Sequence, residues 1–432
     1  MSETPATPQK ERSLRRRPWL IAGVIVIMLL GALVYFFLRD EVPPEDADFK
    51  PAWTAGGGPR NPLVIFMEET SPLYRREYYG HYQPGTPEEA QRLEVLVAKN
   101  AFVFPAFEKL MATDSSLWRW PDDRGTSFPL RDDCYICQEV AEIALATKVE
   151  FLVHHGQRRE AAMLAVAMHR FGHGLNQAEG GSLYYSQVLK IQEVARDELV
   201  LALESETSPE ILEQVQEELT GIEQQTSDLI PVIKRGHLLM TSVFHTMAHD
   251  EAAFADLTQR HPSYFKIWLR PNRTLWLDLQ YRRDLIASLE SGDWRKAHTQ
   301  SEAFLDAVFA RHRKFWHWMT NPNAFGRGQW YEWLNKDLVL DTATEVNKHR
   351  MLITSLAIRR YELSHNTLPK TLQDLVPEFL PAVPVDAMNS LSIEWDPAKR
   401  VLLARGFRSP GSIVIHRSWD GDITFPLWWK AP

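Results

Sequence analysis

The sequence predicts a mainly α-helical protein with one N-terminal transmembrane helix, an irregular array of α-helical hairpins with tetratricopeptide-like turns, and a small C-terminal antiparallel β element. Three observations predict it. Trp19–Leu38 (WLIAGVIVIMLLGALVYFFL) is an uncharged run of 20 residues, long enough for one helix to cross the roughly 30 Å hydrocarbon core of a bilayer. From Thr86 onward, apolar residues recur at helical spacing between Gly and Pro punctuation. After Ser364 the pattern changes to short strand-like runs separated by Pro and Gly.

Residues 1–18 form a basic tail, with Lys10, Arg12, Arg15, Arg16 and Arg17, and acidic RDEVPPEDAD follows the apolar run at 19–38. Basic residues stay on the cytoplasmic side, so the helix is oriented N-terminus in, and about 390 residues are expected beyond the cytoplasmic (inner) membrane, in the periplasm. The apolar run exceeds the usual signal-peptide core and no A-x-A-like site follows, which favours an uncleaved anchor.

Residues 39–60 read as a linker, acidic, with Pro43-Pro44 and Gly56-Gly57-Gly58-Pro59. An extracytoplasmic helical domain is expected over 61–340 and a C-terminal helix plus small sheet over 341–432. Leu63–Phe66 reads as a short strand or a lead-in to packing. Thr86-Pro87-Glu88-Glu89 is a helix start, for a helix running to about Leu110. Asp132 or Asp133 starts the next helix, which ends at His154-His155-Gly156, and its partner Arg159–Phe171 ends near Gly172. The same turn grammar, Gly-x4-Ala, occurs at Gly156/Ala161 and Gly292/Ala297, without a 34-residue period between them. Between the copies, Leu183–Glu204, Pro209–Ile222 and Asp228–Phe254 read as amphipathic helices. Asp341–Ser364 is the last long one, and Asp420-Gly421 is a hairpin signal within the terminal strands.

Composition excludes some functions. The chain is 44% hydrophobic and 24% charged, as globular proteins are. With 43 Lys/Arg against 54 Asp/Glu, residues 18–432 carry a formal charge of −11. That balance disfavours nucleic acid as a partner, because phosphate binding needs concentrated cations.

The segment Ile353–Asp386 (ITSLAIRRYELSHNTLPKTLQDLVPEFLPAVPVD) parses as a helix stopping at Asn366, a turn at Leu368-Pro369, a short helix capped by Thr371, and an extended exit set by Pro377, Pro381 and Pro384. Its pattern A-x-x-x-Y-x-x-x-x-[NG]-x-[LY]-P, then L-x-x-L and L-P-x-x-P-x-D, resembles the segment after the N-terminal helix of type II secretion major pseudopilins. It is more similar still to the C-terminal segment of a family of uncharacterised bacterial envelope proteins with one N-terminal membrane helix and a helical-hairpin body. The resemblance implies that architecture and no activity. The chain departs from the family after Asp386, where Ala387-Met388-Asn389-Ser390 replaces its usual continuation, and the apolar helix lacks the Glu of a pseudopilin.

Candidates for chemistry are few. Cys134 and Cys137 form a C-x-x-C without the strand that a thioredoxin-like site would need, which favours a local disulfide or two free thiols over redox chemistry or half of a zinc site. His169/His173 and His245/His249 each put two imidazoles on one helix face, a spacing that can bind zinc, but neither has the Glu of H-E-x-x-H. A Cys134, Cys137, His169, His173 zinc site is the metal expectation. Trp316, Trp318, Trp330 and Trp333 form an aromatic cluster that reads as a helical core first and as a ligand or partner surface second. Phosphate-loop, dinucleotide and serine-hydrolase motifs are absent from the sequence. The expectation is a membrane-anchored helical scaffold with an envelope protein partner. The alternatives are a metal-dependent hydrolase using the His pairs and a cell-wall glycan binder using the tryptophans.

Overall fold

A computed structural model describes residues 17–49, 61–74, 86–120, 133–178, 182–205, 208–224, 229–257, 266, 269–312, 323–326, 330, 337–405 and 423–429. Helices dominate, with one three-stranded antiparallel sheet at the C-terminal end. In chain order the helices are α1 (Arg17–Leu38), α2 (Pro62–Thr70), α3 (Pro87–Lys99), α4 (Val103–Met111), α5 (Asp133–Glu139), α6 (Ala146–His154), α7 (Arg158–Gln177), α8 (Ser182–Leu203), α9 (Pro209–Gln224), α10 (Leu229–His249), α11 (Glu251–Leu257), α12 (Pro271–Glu290), α13 (Trp294–His312) and α14 (Leu338–His365). A π-helical segment, Val140–Leu145, joins α5 to α6 without a break.

The expected turn grammar is present. Gly156 and Gly292 both have left-handed backbones (φ +75° and +74°), the conformation glycine adopts without steric cost. Ala161 and Ala297 are fully buried, small enough to let each hairpin close. Thr86 caps α3 by accepting the N–H of Glu89 at 3.2 Å. Asn366 ends α14 in the left-handed region, and Thr371 and Asp374 form a capping box on the short 3-10 helix Leu372–Leu375.

Three local readings are corrected. Leu63–Phe66 is helix, not strand, because Asn61 caps the N–H of Leu63 and Pro62 opens α2. The helix expected to reach Leu110 breaks at Asn100, whose buried amide oxygen accepts the N–H of Tyr74 at 2.8 Å, and restarts as α4. Asp228–Phe254 is two helices: Asp250 lies between α10 and α11 and caps the second through Ala252 N–H.

Among the described residues two large hydrophobic cores form the body. The first joins α2, α4–α9, the later half of α14 and the sheet around Phe66, Phe171, Leu199 and Leu356. The second joins α10–α13 and the start of α14 around Phe244, Leu275, Leu279 and Trp330. α14 serves both. Its 28 residues, about 42 Å at 1.5 Å per residue, contribute Leu338 and Val339 to one core and Met351–Ile358 to the other. The sheet order is β1 (Glu394–Asp396), β2 (Val401–Ala404), β3 (Ile423–Pro426), with Leu402 and Ala404 turned into the first core. The strand-like run Ser412–Arg417 and the Asp420-Gly421 turn lie outside the described residues.

The stretch read as a linker is docked over its described part. Asp40 accepts the N–H groups of Asn272 and Arg273 (2.9 and 3.2 Å) and so caps α12 from 230 residues away. Glu41 pairs with Arg273 at 2.8 Å, and the carbonyl of Val42 accepts Trp276 Nε1–H at 3.0 Å. Arg283 binds both the carbonyl of Glu45 and the carboxylate of Asp48, and Phe49 is buried in the second core. Residues 40–49 therefore form a strap along α12.

α1 is a 22-residue helix. Its described large apolar side chains between Ile21 and Tyr35 are 47–70% exposed, with no described body element packed on them. Among the described residues no helix is long and apolar enough to cross a membrane; the described side chains of α1 span only Ile21–Tyr35, about 22 Å of helix.

Candidate functional site

The strongest candidate is a chamber of about 50 Å³ between α7, α8, α9 and α14. The second half of α7 is buried almost all round, so His169 and His173, one turn apart, both turn inward (4% and 6% exposed). α14 adds a third imidazole, His349, whose ring centre lies 5.7 Å from that of His169 in an edge-to-face arrangement. Sequence reasoning missed His349. It is 180 residues from His169, and no local spacing connects them.

Each ring has a defined partner or lacks one. His349 Nε2 is 3.0 Å from the carbonyl of Leu219; a carbonyl only accepts, so the proton is on Nε2 and Nδ1 keeps its lone pair. Gln177 donates from its amide to His173 Nε2 at 3.0 Å. His169 Nε2 is buried and meets no hydrogen-bonding group. Burial, with the nearby His349 and Arg196, holds the His169 pKa well below the imidazole range, and burial likewise lowers that of His349. Both rings are neutral at pH 7.

Charges around them are paired. Arg196 donates to Glu345 at 2.6 Å, both nearly buried, and Lys348 meets the other oxygen of Glu345 at 2.7 Å. Glu223 accepts from Arg350 at 2.8 Å. Arg196, Glu223 and Glu345 give the lining a formal charge of −1. The chamber has room for ordered water or one small ion. On its outer side a second cavity of about 310 Å³ shares His173 and Ile222 with it and is flanked by the Arg170–Glu218 ion pair between α7 and α9.

The other sequence candidates are not brought together here. Cys137 is buried in the first core, and the side chain of Cys134 lies outside the described residues. Among the described residues, no three His, Cys, Asp or Glu side chains converge as a metal-binding group. On α10, His245 is half-buried and His249 exposed. Trp316, Trp318 and Trp333 lie outside the described residues. Trp330 is a correction to the surface reading: it is fully buried and donates from Nε1 to Asp278 at 2.7 Å, so it offers no ring to a ligand.

That indole belongs to a second buried polar centre. Asp278 Oδ2 receives His237 Nδ1 at 2.6 Å and Arg282 Nε at 2.8 Å, while Arg282 Nη1 donates to the carbonyl of Ile233 at 2.9 Å. Burial pushes the Asp278 carboxyl up, but the charge of Arg282 and the bond from His237 outweigh it and hold the pKa below the ordinary carboxylate value. Phe49 of the strap packs edge-on against His237.

Asp386, which closes the segment Ile353–Asp386, is equally committed. Its oxygens accept from Asn347, Met388 N–H and Asn389, so it organises a turn. Compared with protein-family models, with curated proteins and with solved structures, the chain matches none.

Proposed function

We propose that the protein is a membrane-anchored, extracytoplasmic helical scaffold. One observation carries this reading: α1 exposes large apolar side chains at seven consecutive positions, Val24–Leu30, which covers every face of the helix. A helix apolar all round needs a core or a bilayer around it, and among the described residues no body element supplies the core. Basic residues before α1 and acidic ones after it support N-terminus-in orientation. The helical hairpins support a role in presenting surface to an envelope protein partner.

Fractionation tests the anchor. The full-length protein is expected in the alkali-resistant membrane pellet, with its body digested by protease only from the extracytoplasmic side. Release by alkali, or digestion from the cytoplasmic side, overturns it. Cross-linking in cells then tests the scaffold: a stoichiometric envelope protein supports it, and reproducible failure to capture one overturns it.

The unpartnered His169 Nε2 supports a second reading, in which the chamber holds a small ligand. Zinc ion is the first probe, because two neutral imidazoles beside carboxylates are suitable donors. Retention of about one zinc per chain on dialysis, lost in His169→Ala and His349→Ala, supports it; equal retention in parent and variants removes it. A hydrolase reading further needs a general base at the ion, and Glu223 and Glu345 are each already paired with cations.

A further inference from the structure

The strap brings one apolar patch to the end of α1. The helix closes at Leu38, the N–H of Arg39 still donates to Tyr35 at 2.8 Å, and Asp40 already caps α12. Two residues of chain reach at most about 7 Å. The N-terminal end of α12 is therefore held beside the point where α1 ends.

Val42 and Trp276 are at that place, 75% and 42% exposed. The polar edge of Trp276 is bonded to the carbonyl of Val42, so the exposed remainder of the indole is apolar. The neighbouring charges, Glu41 and Arg273, are paired with each other. An indole with its N–H satisfied and its ring open suits the headgroup layer, where aromatic side chains concentrate.

We infer that the N-terminal end of α12 docks on the lipid surface next to α1, with Val42 and Trp276 entering the headgroup layer. The inference rests on reading α1 as a membrane helix. The bilayer is the occupant because two residues of chain leave no room for a folded partner between the α1 exit and this end of α12. The docked end, together with the strap, fixes how the body stands on the membrane. α12 is about 30 Å long, and the turn beyond its far end, Ser291–Arg295, shares a surface cavity with Leu391, which is 62% exposed. Leu391 is thus an apolar control at the opposite end of the same helix.

The test uses the full chain in nanodiscs of phosphatidylethanolamine and phosphatidylglycerol. Photoactivatable benzoylphenylalanine is placed in turn at Leu29, Val42, Trp276 and Leu391, and adducts are read by mass spectrometry. Lipid adducts are expected at Leu29, Val42 and Trp276 and lost at Leu391. Adducts at Leu29 with Val42 and Trp276 no higher than Leu391 overturn the docking and leave the anchor standing. Absence of adducts at Leu29 overturns the anchor, and the docking with it. Chain-to-chain adducts at Val42 or Trp276 in place of lipid assign this end to a second copy and overturn lipid docking.

Discussion

The two cores each bury a polar centre around histidine, and the centres differ in what lies beside the ring. In the second core, both oxygens of Asp278 are occupied by His237, Arg282 and Trp330, and the strap closes over the group through Phe49, although His237 Nε2 and Arg282 Nη2 make no hydrogen bond. In the first core, His169 has an uncommitted nitrogen and a chamber in front of it. Buried polar groups cost free energy unless they are hydrogen-bonded, so a carboxylate shared by three donors acts as a clamp between elements. An imidazole with a chamber in front of it is available to something else. The contrast separates structure from candidate site where burial alone does not, since His169 and His237 are both inaccessible.

The largest expected effect breaks the clamp. Asp278→Ala strands Arg282 as a buried cation and leaves His237 and Trp330 without an acceptor, so a loss of about 3–5 kcal/mol is expected in urea unfolding of the full chain. Hydrogen exchange should show the loss in α10, α12 and the strap before the first core. A cost below about 1 kcal/mol would mean the centre does not hold these helices together.

The next test has the opposite sign. Glu198, on α8 in the first core, has a buried oxygen without a hydrogen bond, and burial pushes its pKa up to about 9. An acid whose folded pKa is raised binds more protons folded than unfolded between about pH 4.5 and 9, so its contribution falls as pH rises through that window. Glu198→Gln is therefore expected to stabilise the chain by roughly 1–3 kcal/mol at pH 8, with the gain vanishing near pH 4.5. Melting of parent and variant across that range checks it. A gain independent of pH would show that the carboxyl is not kept neutral by burial.

Smaller again is the strap. Asp40→Ala removes the cap of α12 and should cost about 1 kcal/mol, with faster exchange at Asn272 and Arg273. Unchanged exchange there would detach the strap from the clamp it is taken to extend.

These features were unequally legible in the sequence. Turns and caps were readable because their causes are local: Gly156, Gly292, Thr86, Asn366 and the Thr371/Asp374 box each act within four residues. Leu63–Phe66 was ambiguous because four apolar residues fit strand or helix, and the Asn61-Pro62 start signal decides it. The strap read as a linker because its acids find their arginines more than 230 residues away. The chamber was half visible. The His169/His173 spacing placed two rings on one face, but His349 and the Arg196–Glu345 pair arrive only when α14 packs on α8 and α9.

The smallest effect sharpens the contrast most. His169→Leu removes an imidazole that makes no hydrogen bond through Nε2, so at pH 8 stability should stay within about 1 kcal/mol of the parent, unlike the loss at Asp278. Acid should separate the two proteins. A histidine kept neutral when folded binds fewer protons than its unfolded form below about pH 6.5, so stability falls as pH drops through that value, by up to about 1.4 kcal/mol per pH unit for each such ring. His169→Leu removes one of the two rings, leaving His349, and the slope between pH 6.5 and 5 should flatten by about half of the histidine contribution. Urea midpoints for both proteins at four pH values measure this directly. Parallel curves would mean that His169 is charged or solvated when folded; the chamber would then be an ordinary hydrated crevice, with no claim to a ligand beyond that of the clamp.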